Sequence, residues 1–458
     1  MPAPGALSGL PPALKVGQSV GEAAREEKVI APEPETQTSR PAPKTERKAQ
    51  AAAPSPYLIT ADHVKRVRQH CTETHCGESK HANESIRWRH CGADLVAFPC
   101  VCRVRAQAFK RINQTVLRTP CDYSPRLAPI IGSSLYLKKE HLSITGSYKE
   151  RGALNKLLQL TPDERARGVI CSSAGNHAQA VSYHSTRLGI DGVIVMPINA
   201  PHTKVKSTRE FGARVVQAGE SFSEAYEHAV KLAKEEGRTF IHAFNDPEVV
   251  AGQGTVAMEL LEQNPYMDAV VVPVGGGGLI AGMALLLKAV NPRVKIYGVE
   301  SSAMPGMHAS IRAGKLQSVK KRPTMADGIA IEHVGAIAFD IIRDCVDDIV
   351  LVDEDEVAQA VLLMLEKEKT VTEGSGAAGL AALLSGKLPQ VKDQNVVCVV
   401  TGSNIDMSLL SRIIEKGLVM TGRMARVHVT VLDVPGQLAK SVANTTAAEE
   451  ARGSGAVK

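Results

Sequence analysis

The chain has 458 residues, 44% hydrophobic and 22% charged, which is ordinary globular chemistry with room for two or three domains. Aromatics are only 3%, with Trp88 the single tryptophan, so no stacking platform for single-stranded nucleic acid is present. The net charge of +6 is local: residues 57–111 carry ten Lys/Arg against five acids and residues 1–56 seven against six, which accounts for all of it and leaves the rest neutral, no polyanion binder.

In chain order, Met1 to Pro12 lacks a basic start followed by an apolar run, so no secretory leader is expected. Residues 1–55 are rich in Ala, Pro, Glu, Lys and Ser without apolar periodicity, and a disordered tail is expected there. The basic segment 57–104 holds Cys71, Cys76, Cys91, Cys100 and Cys102 with His70, His75, His81 and His90. Thiolate with imidazole is zinc chemistry, yet no Cys-x-x-Cys pair occurs. Ordinary reduced cysteines, as in a cytoplasmic protein, are the preferred reading; a structural zinc stays open.

From Arg105 to Gly422 short β-branched runs alternate with helical stretches such as Ser221–Glu236 and Glu354–Glu368. Expected strands are Ser134–Leu137, Gly168–Cys171, Gly192–Met196, Arg214–Gln217, Thr239–His242, Ala269–Val274, Lys295–Val299, Asp348–Val352 and Asn395–Val400. This alternation argues an α/β fold with mainly parallel sheets, whose ligands sit beyond the carboxyl ends of the strands.

Four motifs fall at such ends. Gly146-Ser147-Tyr148-Lys149 opens a helix with a lysine, and a helix N-terminus disfavours its charged form; the neutral amine suits Schiff-base formation, although a lone lysine is usually a solvated surface group. Ser172-Ser173-Ala174-Gly175-Asn176-His177 follows a strand, where backbone N–H groups and a helix dipole suit a carboxylate; a plain helix cap would explain Ser173 alone. The uncharged run Val270–Leu287 is long enough to raise a membrane span, but Pro273 and Gly275-Gly276-Gly277-Gly278 would expose unpaired backbone in lipid. It reads as a buried strand, a phosphate-wrapping loop and the helix Ile280–Val290, with no membrane partner. Neither a P-loop nor the dinucleotide spacing follows, though Glu300 keeps a nucleotide-dependent oxidoreductase alive as an alternative. Thr401-Gly402-Ser403-Asn404 ends the last strand with a hydroxyl that can meet the edge of a bound ring.

In order and spacing these motifs resemble the second fold type of pyridoxal-phosphate enzymes, the tryptophan synthase β-like group, and within it the threonine/serine dehydratases. The resemblance covers roughly Ala106 to Gly422. It implies two open twisted, mainly parallel sheets flanked by helices, with pyridoxal 5'-phosphate between two domains and a small domain, about 150–235, inserted in the larger one. It implies Lys149 as the lysine joined to the cofactor, Asn176 at its phenolic oxygen, and Gly275–Gly278 with Leu279 at its phosphate. Thr401 would face the pyridine nitrogen, where the family usually has serine or cysteine. Ser173, Ala174, Gly175 and His177 would surround the substrate carboxylate. Asp327-Gly328-Ile329-Ala330 and Glu373-Gly374-Ser375-Gly376 also match segments near the ring. The implied reaction is β-elimination from L-threonine or L-serine to 2-oxobutyrate or pyruvate plus ammonia, in a homo-oligomer, dimer or tetramer. Racemases of the family place a serine where this chain has Ala174, which carries no proton to give. A serine racemase, a β-replacing lyase and a catalytically silent metal-binding protein remain the competing readings. The family's divalent-metal site needs a second acid after Glu300, and Ser301 to Gly306 contains none, so that site is not expected. Finally, Arg426–Leu438 resembles the start of an ACT effector domain, and the partial segment 423–458 is too short to complete one.

Overall fold

The computed structural model describes residues 97–425, 430, 434–437 and 439–440. The tail 1–55, the side chains of the Cys/His segment and most of the ACT-like stretch lie outside the described residues.

Among the described residues ten strands form two sheets: β1 (Cys121–Tyr123), β2 (Ser134–Lys138), β3 (Val169–Ser172), β4 (Gly192–Met196), β5 (Arg214–Gln217), β6 (Thr239–Phe240), β7 (Ala269–Pro273), β8 (Lys295–Ser301), β9 (Asp348–Val352) and β10 (Asn395–Val399). The larger sheet runs β1-β2-β10-β7-β8-β9 and the smaller β5-β4-β3-β6. All pairings are parallel except β1 with β2. Every expected strand is present within two residues of its expected ends. The edge strand β1 is an addition: its three residues are too few to show alternation.

The central strand β7 explains the uncharged run. Val270 and Val272 pack into one apolar layer with Ile280, Ala284 and Val397, while Ala269 and Val271 pack into the other with Leu380 and Val396. Both faces are buried, so the strand reads as a continuous apolar segment. The helix behind it starts at Gly278, two residues earlier than expected, because Gly277 turns the chain with φ +88°. No helix among the described residues is long and apolar enough to cross a membrane. In the smaller sheet, Ile170, Val193 and Val195 face Ala225, Ala229 and Ala233 of the helix Phe222–Glu235. Its other face, Val169, Cys171 and Ile194, packs on Ala178 and Val181 of the helix Asn176–Arg187. The expected helix Glu354–Glu368 stays α-helical to Leu363, loosens into a π turn over Met364–Glu368, and stops at Lys369 with φ +57°.

Beneath the future site lies a buried ion network. The Arg151 guanidinium donates to Glu140 (Nε to Oε2 2.7 Å, Nη2 to Oε1 2.8 Å) and to Glu259 (Nη1 to Oε1 2.6 Å). Lys138 Nζ donates to Glu259 Oε2, and Thr119 Oγ1 to Glu140 Oε1 at 2.6 Å. Two cations thus face two anions with no exposed member. The network ties β2 and the helix Thr255–Gln263 to the helix Lys149–Leu157.

Candidate active site

The N-termini of the helices Lys149–Leu157, Asn176–Arg187 and Gly278–Val290 and the segments after β3, β7 and β10 supply the candidate residues, several of them in direct contact. Lys149 is the first residue of the helix Lys149–Leu157, as expected. Tyr148 N donates to Thr401 O at 3.2 Å, and Ser147 bridges Gly402, so the lysine turn is laced to the loop after β10. The Lys149 amine donates to Ala243 O at 2.9 Å. Burial lowers its pKa to about 8, while the nearby Glu373 opposes the shift. The shift toward the neutral amine anticipated for the helix start therefore comes chiefly from desolvation.

The glycine loop follows β7 as expected. The N–H groups of Gly276, Gly277, Gly278, Leu279 and Ile280 donate to no described protein atom, and no side chain caps this helix. A Cβ on Gly276 would lie 2.2 Å from the Phe244 ring, so only glycine lets that ring pack beneath the loop. A run of open donors at a 13-residue helix start is a site for a phosphate.

The loop after β3 repeats the arrangement on the smaller sheet. Ser173 Oγ accepts from Gly175 N at 3.3 Å, and the N–H groups of Ala174, Asn176, His177 and Ala178 find no described acceptor. These donors suit a carboxylate. The His177 side chain does not: Nε2 lies 2.9 Å from Ile241 O, so it carries the ring proton and leaves Nδ1 bare. Burial and the Lys149 charge lower its pKa to about 3, keeping the ring neutral. Only the backbone of His177 can serve an anion.

Asn176 is held from both sides. Its Nδ2 donates to Glu373 Oε1 at 2.8 Å, and its Oδ1 accepts from Asn404 Nδ2 at 2.8 Å, leaving one Nδ2 proton for a ligand oxygen. Thr401 is buried, and its hydroxyl donates to Ser375 O at a long 3.3 Å. Glu373 also accepts from Ser375 Oγ at 2.6 Å and takes Gly402 O through its own N–H at 3.1 Å. Burial and Asp327 raise its pKa to about 7.

One group escaped the sequence reading and another was given no role of its own. His242 sits next to the carbonyl that binds Lys149, and its Nδ1 accepts from Phe244 N (3.2 Å) and Asn245 N (2.9 Å), which puts the ring proton on Nε2. Glu373 was legible only as part of a segment, although it is a lone acid before the small-residue helix Gly374–Leu384. Glu300, the acid that kept a nucleotide site open, is spent elsewhere. Its two oxygens accept from Met307 N (2.9 Å) and His308 N (2.7 Å), capping the helix Gly306–Ala313, and it is buried away from any ribose. Among the described residues no group of three or more His, Cys, Asp or Glu could hold a metal.

A buried amine of low pKa between a phosphate cradle and a carboxylate cradle fits pyridoxal phosphate and an amino acid. The comparisons agree. A family model described as pyridoxal-phosphate dependent enzyme matches residues 112–402. The L-threonine ammonia-lyase of Thermotoga maritima is 46% identical over 332 residues, 72% of this chain and 82% of the relative. The catabolic L-threonine dehydratase TdcB of Escherichia coli is 42% identical over 308 residues, 67% of this chain and 94% of the relative. Among solved structures, processed threonine deaminase isoform 2 from Solanum lycopersicum has a TM-score of 0.68 at 33% identity, covering 72% of this chain and 95% of that one. Maize serine racemase has a TM-score of 0.65 at 34% identity, covering 70% and 98%.

Proposed function

The chain belongs to the family of pyridoxal-phosphate dependent enzymes, and on that premise we propose that it is an ammonia-lyase that turns L-threonine, and L-serine, into 2-oxobutyrate or pyruvate plus ammonia. The nicotinamide alternative falls with the family assignment and with the capping role of Glu300. The observation that carries the reading is the desolvated amine of Lys149 among open backbone donors.

Bound pyridoxal phosphate supplies an aldehyde carbon for amines and draws electron density from the substrate's Cα. The chain does the rest. Gly275–Gly278 and Leu279 hold the phosphate through backbone N–H groups, and Asn176 offers its remaining Nδ2 proton to the ring oxygen. The Thr401 hydroxyl, whose bond to Ser375 O is long at 3.3 Å, would turn its proton to the pyridine nitrogen instead; a hydroxyl would not hold a full positive charge there, which would favour prompt elimination over transamination. Ser173, Ala174, Gly175 and His177 bind the substrate carboxylate, the last through its backbone alone. The uncharged Lys149 Nζ takes the proton from Cα, which labilises the β-hydroxyl.

The racemase likeness raises a second reading. Ala174 has no proton to deliver to the opposite face of Cα, so D-serine formation from L-serine is negligible beside pyruvate formation; comparable amounts of the two on chiral chromatography would count against this. The reading takes a catalytic core at 105–422 with an inserted domain at about 150–235, which holds β3, β4 and β5 of the smaller sheet, while β6 (Thr239–Phe240) lies just past that bound. The exposed Leu142, Ile144 and Met407 beside the lysine and threonine loops support a homo-oligomer. The unpaired thiols Cys171 and Cys398 support a cytoplasmic location.

The test is Lys149→Ala. The purified variant should lose the aldehyde–amine absorbance band and all 2-oxo acid formation, and a variant still making 2-oxobutyrate at the wild-type rate overturns the reading.

A further inference from the structure

Glu373 has one carboxylate oxygen committed and one uncommitted. Oε1 accepts from Asn176 Nδ2 and Ser375 Oγ, whereas Oε2 has no hydrogen-bond partner among the described residues. The carboxyl is walled by backbone: a Cβ on Gly402 would lie 2.5 Å from Oε1, and one on Gly328 3.2 Å from it. The charged or titratable groups that face it are Lys149 and Tyr148 from the lysine turn, Asp327 from the loop beside Gly328, and Lys204 from the helix His202–Glu210. Asp327 and Lys204 pair with each other at the cleft mouth.

The reaction needs a base at this place. An amino acid arrives with its amine largely protonated at neutral pH, since an α-amino group titrates near ~8 or above. A protonated nitrogen has no pair with which to bond the cofactor's carbon, and Lys149 is committed to the cofactor. We propose that Glu373 is a catalytic base of this site, whose Oε2 takes a proton from the substrate's ammonium group as the amino acid enters. The N–H bond breaks, the electron pair stays on nitrogen, an O–H bond forms on Oε2, and the proton returns to the ammonia that leaves. Burial places the carboxyl's titration at about 7, where it can both accept and release a proton in the working range. The inference rests on the ammonia-lyase reading above.

The experiment is Glu373→Gln, which keeps an acceptor for Asn176 and Ser375 but removes the base, with Glu373→Asp as the conservative variant. At pH 7 kcat/KM of the Gln variant should fall about tenfold or more, by the excess of charged over free substrate amine. It should recover about tenfold per pH unit as the amine of free substrate deprotonates. Cofactor absorbance per chain and the melting temperature should stay at wild-type values, and the Asp variant should regain part of the rate. A Gln variant with the wild-type pH profile overturns the proposal, as does one that loses cofactor in step with activity. If the Gln variant does not fold, the wild-type profile decides: kcat/KM that does not drop below pH ~7 overturns it. None of these outcomes touches the Lys149→Ala result, so the two claims fail separately.

Discussion

The Lys149 amine and the Ala243 carbonyl oxygen meet at 2.9 Å, joining the start of one helix to the chain that leaves the smaller sheet after β6. A carbonyl accepts a hydrogen bond from the charged or the neutral amine alike, so this contact holds the nitrogen in place without fixing its charge. Burial then sets the charge.

The first prediction follows from that burial. With a pKa of about 8, about one-tenth of Lys149 is uncharged at pH 7, against less than about one-thousandth of an ordinary lysine. Deprotonation is favoured as pH rises, so in cofactor-stripped protein the rate of labelling of Lys149 by a small aldehyde with borohydride should climb through pH 7 and level off above about 8. Peptide mapping reads it residue by residue. A plateau reached only above pH 10 would place the amine in open water.

The second concerns the glycine loop. A methyl on Gly276 would sit 2.2 Å from the Phe244 ring, and Gly278, two residues on, packs against Phe244 as well. Gly276→Ala should cost about 1–3 kcal/mol of stability and weaken cofactor retention more than tenfold, measured by thermal melting and by absorbance after dialysis. Wild-type melting with full cofactor retention would show that the loop has slack.

How far these features could be read beforehand depended on their range. β7 was legible because both faces are apolar, and the loop after it because four consecutive glycines have few structural uses. Lys149 stood at a helix start in plain view, but the reason for its neutrality did not: the helix dipole was the local argument, and burial by distant segments is the actual cause. His177 was placed by its neighbours, and only the fold shows its ring turned to Ile241. Glu373 was hardest, since its partner Asn176 is 197 residues away and no local period reports such a pairing.

The third prediction tests the buried ions. Arg151→Met removes the guanidinium that faces Glu140 and Glu259 while keeping much of the volume. Burial alone would raise the Glu140 pKa, but Arg151 and then Lys138 hold it below the usual range, so this carboxylate is charged in the folded protein. Left with Lys138 only, the pair of anions should cost about 3–5 kcal/mol. The depressed pKa also fixes the pH sense: the network's stabilisation is present above the unfolded carboxyl pKa and is lost as pH falls through the lower folded value. The difference in denaturant midpoint between wild type and Arg151→Met should therefore be large at pH 7 and shrink on acidification. A constant difference would mean that packing, not charge, is what Arg151 provides.

The last prediction uses the ion pair at the cleft mouth. Lys204 Nζ meets Asp327 Oδ2, both partly exposed, so the pair itself should add no more than about 1 kcal/mol to stability. Its weight lies in what each partner does to Glu373: Asp327 raises that carboxyl's pKa and Lys204 lowers it. Removing the cation by Lys204→Met makes the charged form of Glu373 harder to hold, so the acid limb of kcat/KM should move to higher pH. Removing the anion by Asp327→Asn relieves repulsion, so the limb should move to lower pH. The double variant should fall between the two, since opposite charges vanish together. Salt offers an independent check, because both effects act through a solvent-facing mouth and should shrink as ionic strength rises. If the two single variants move the limb in the same direction, the titrating group is not Glu373.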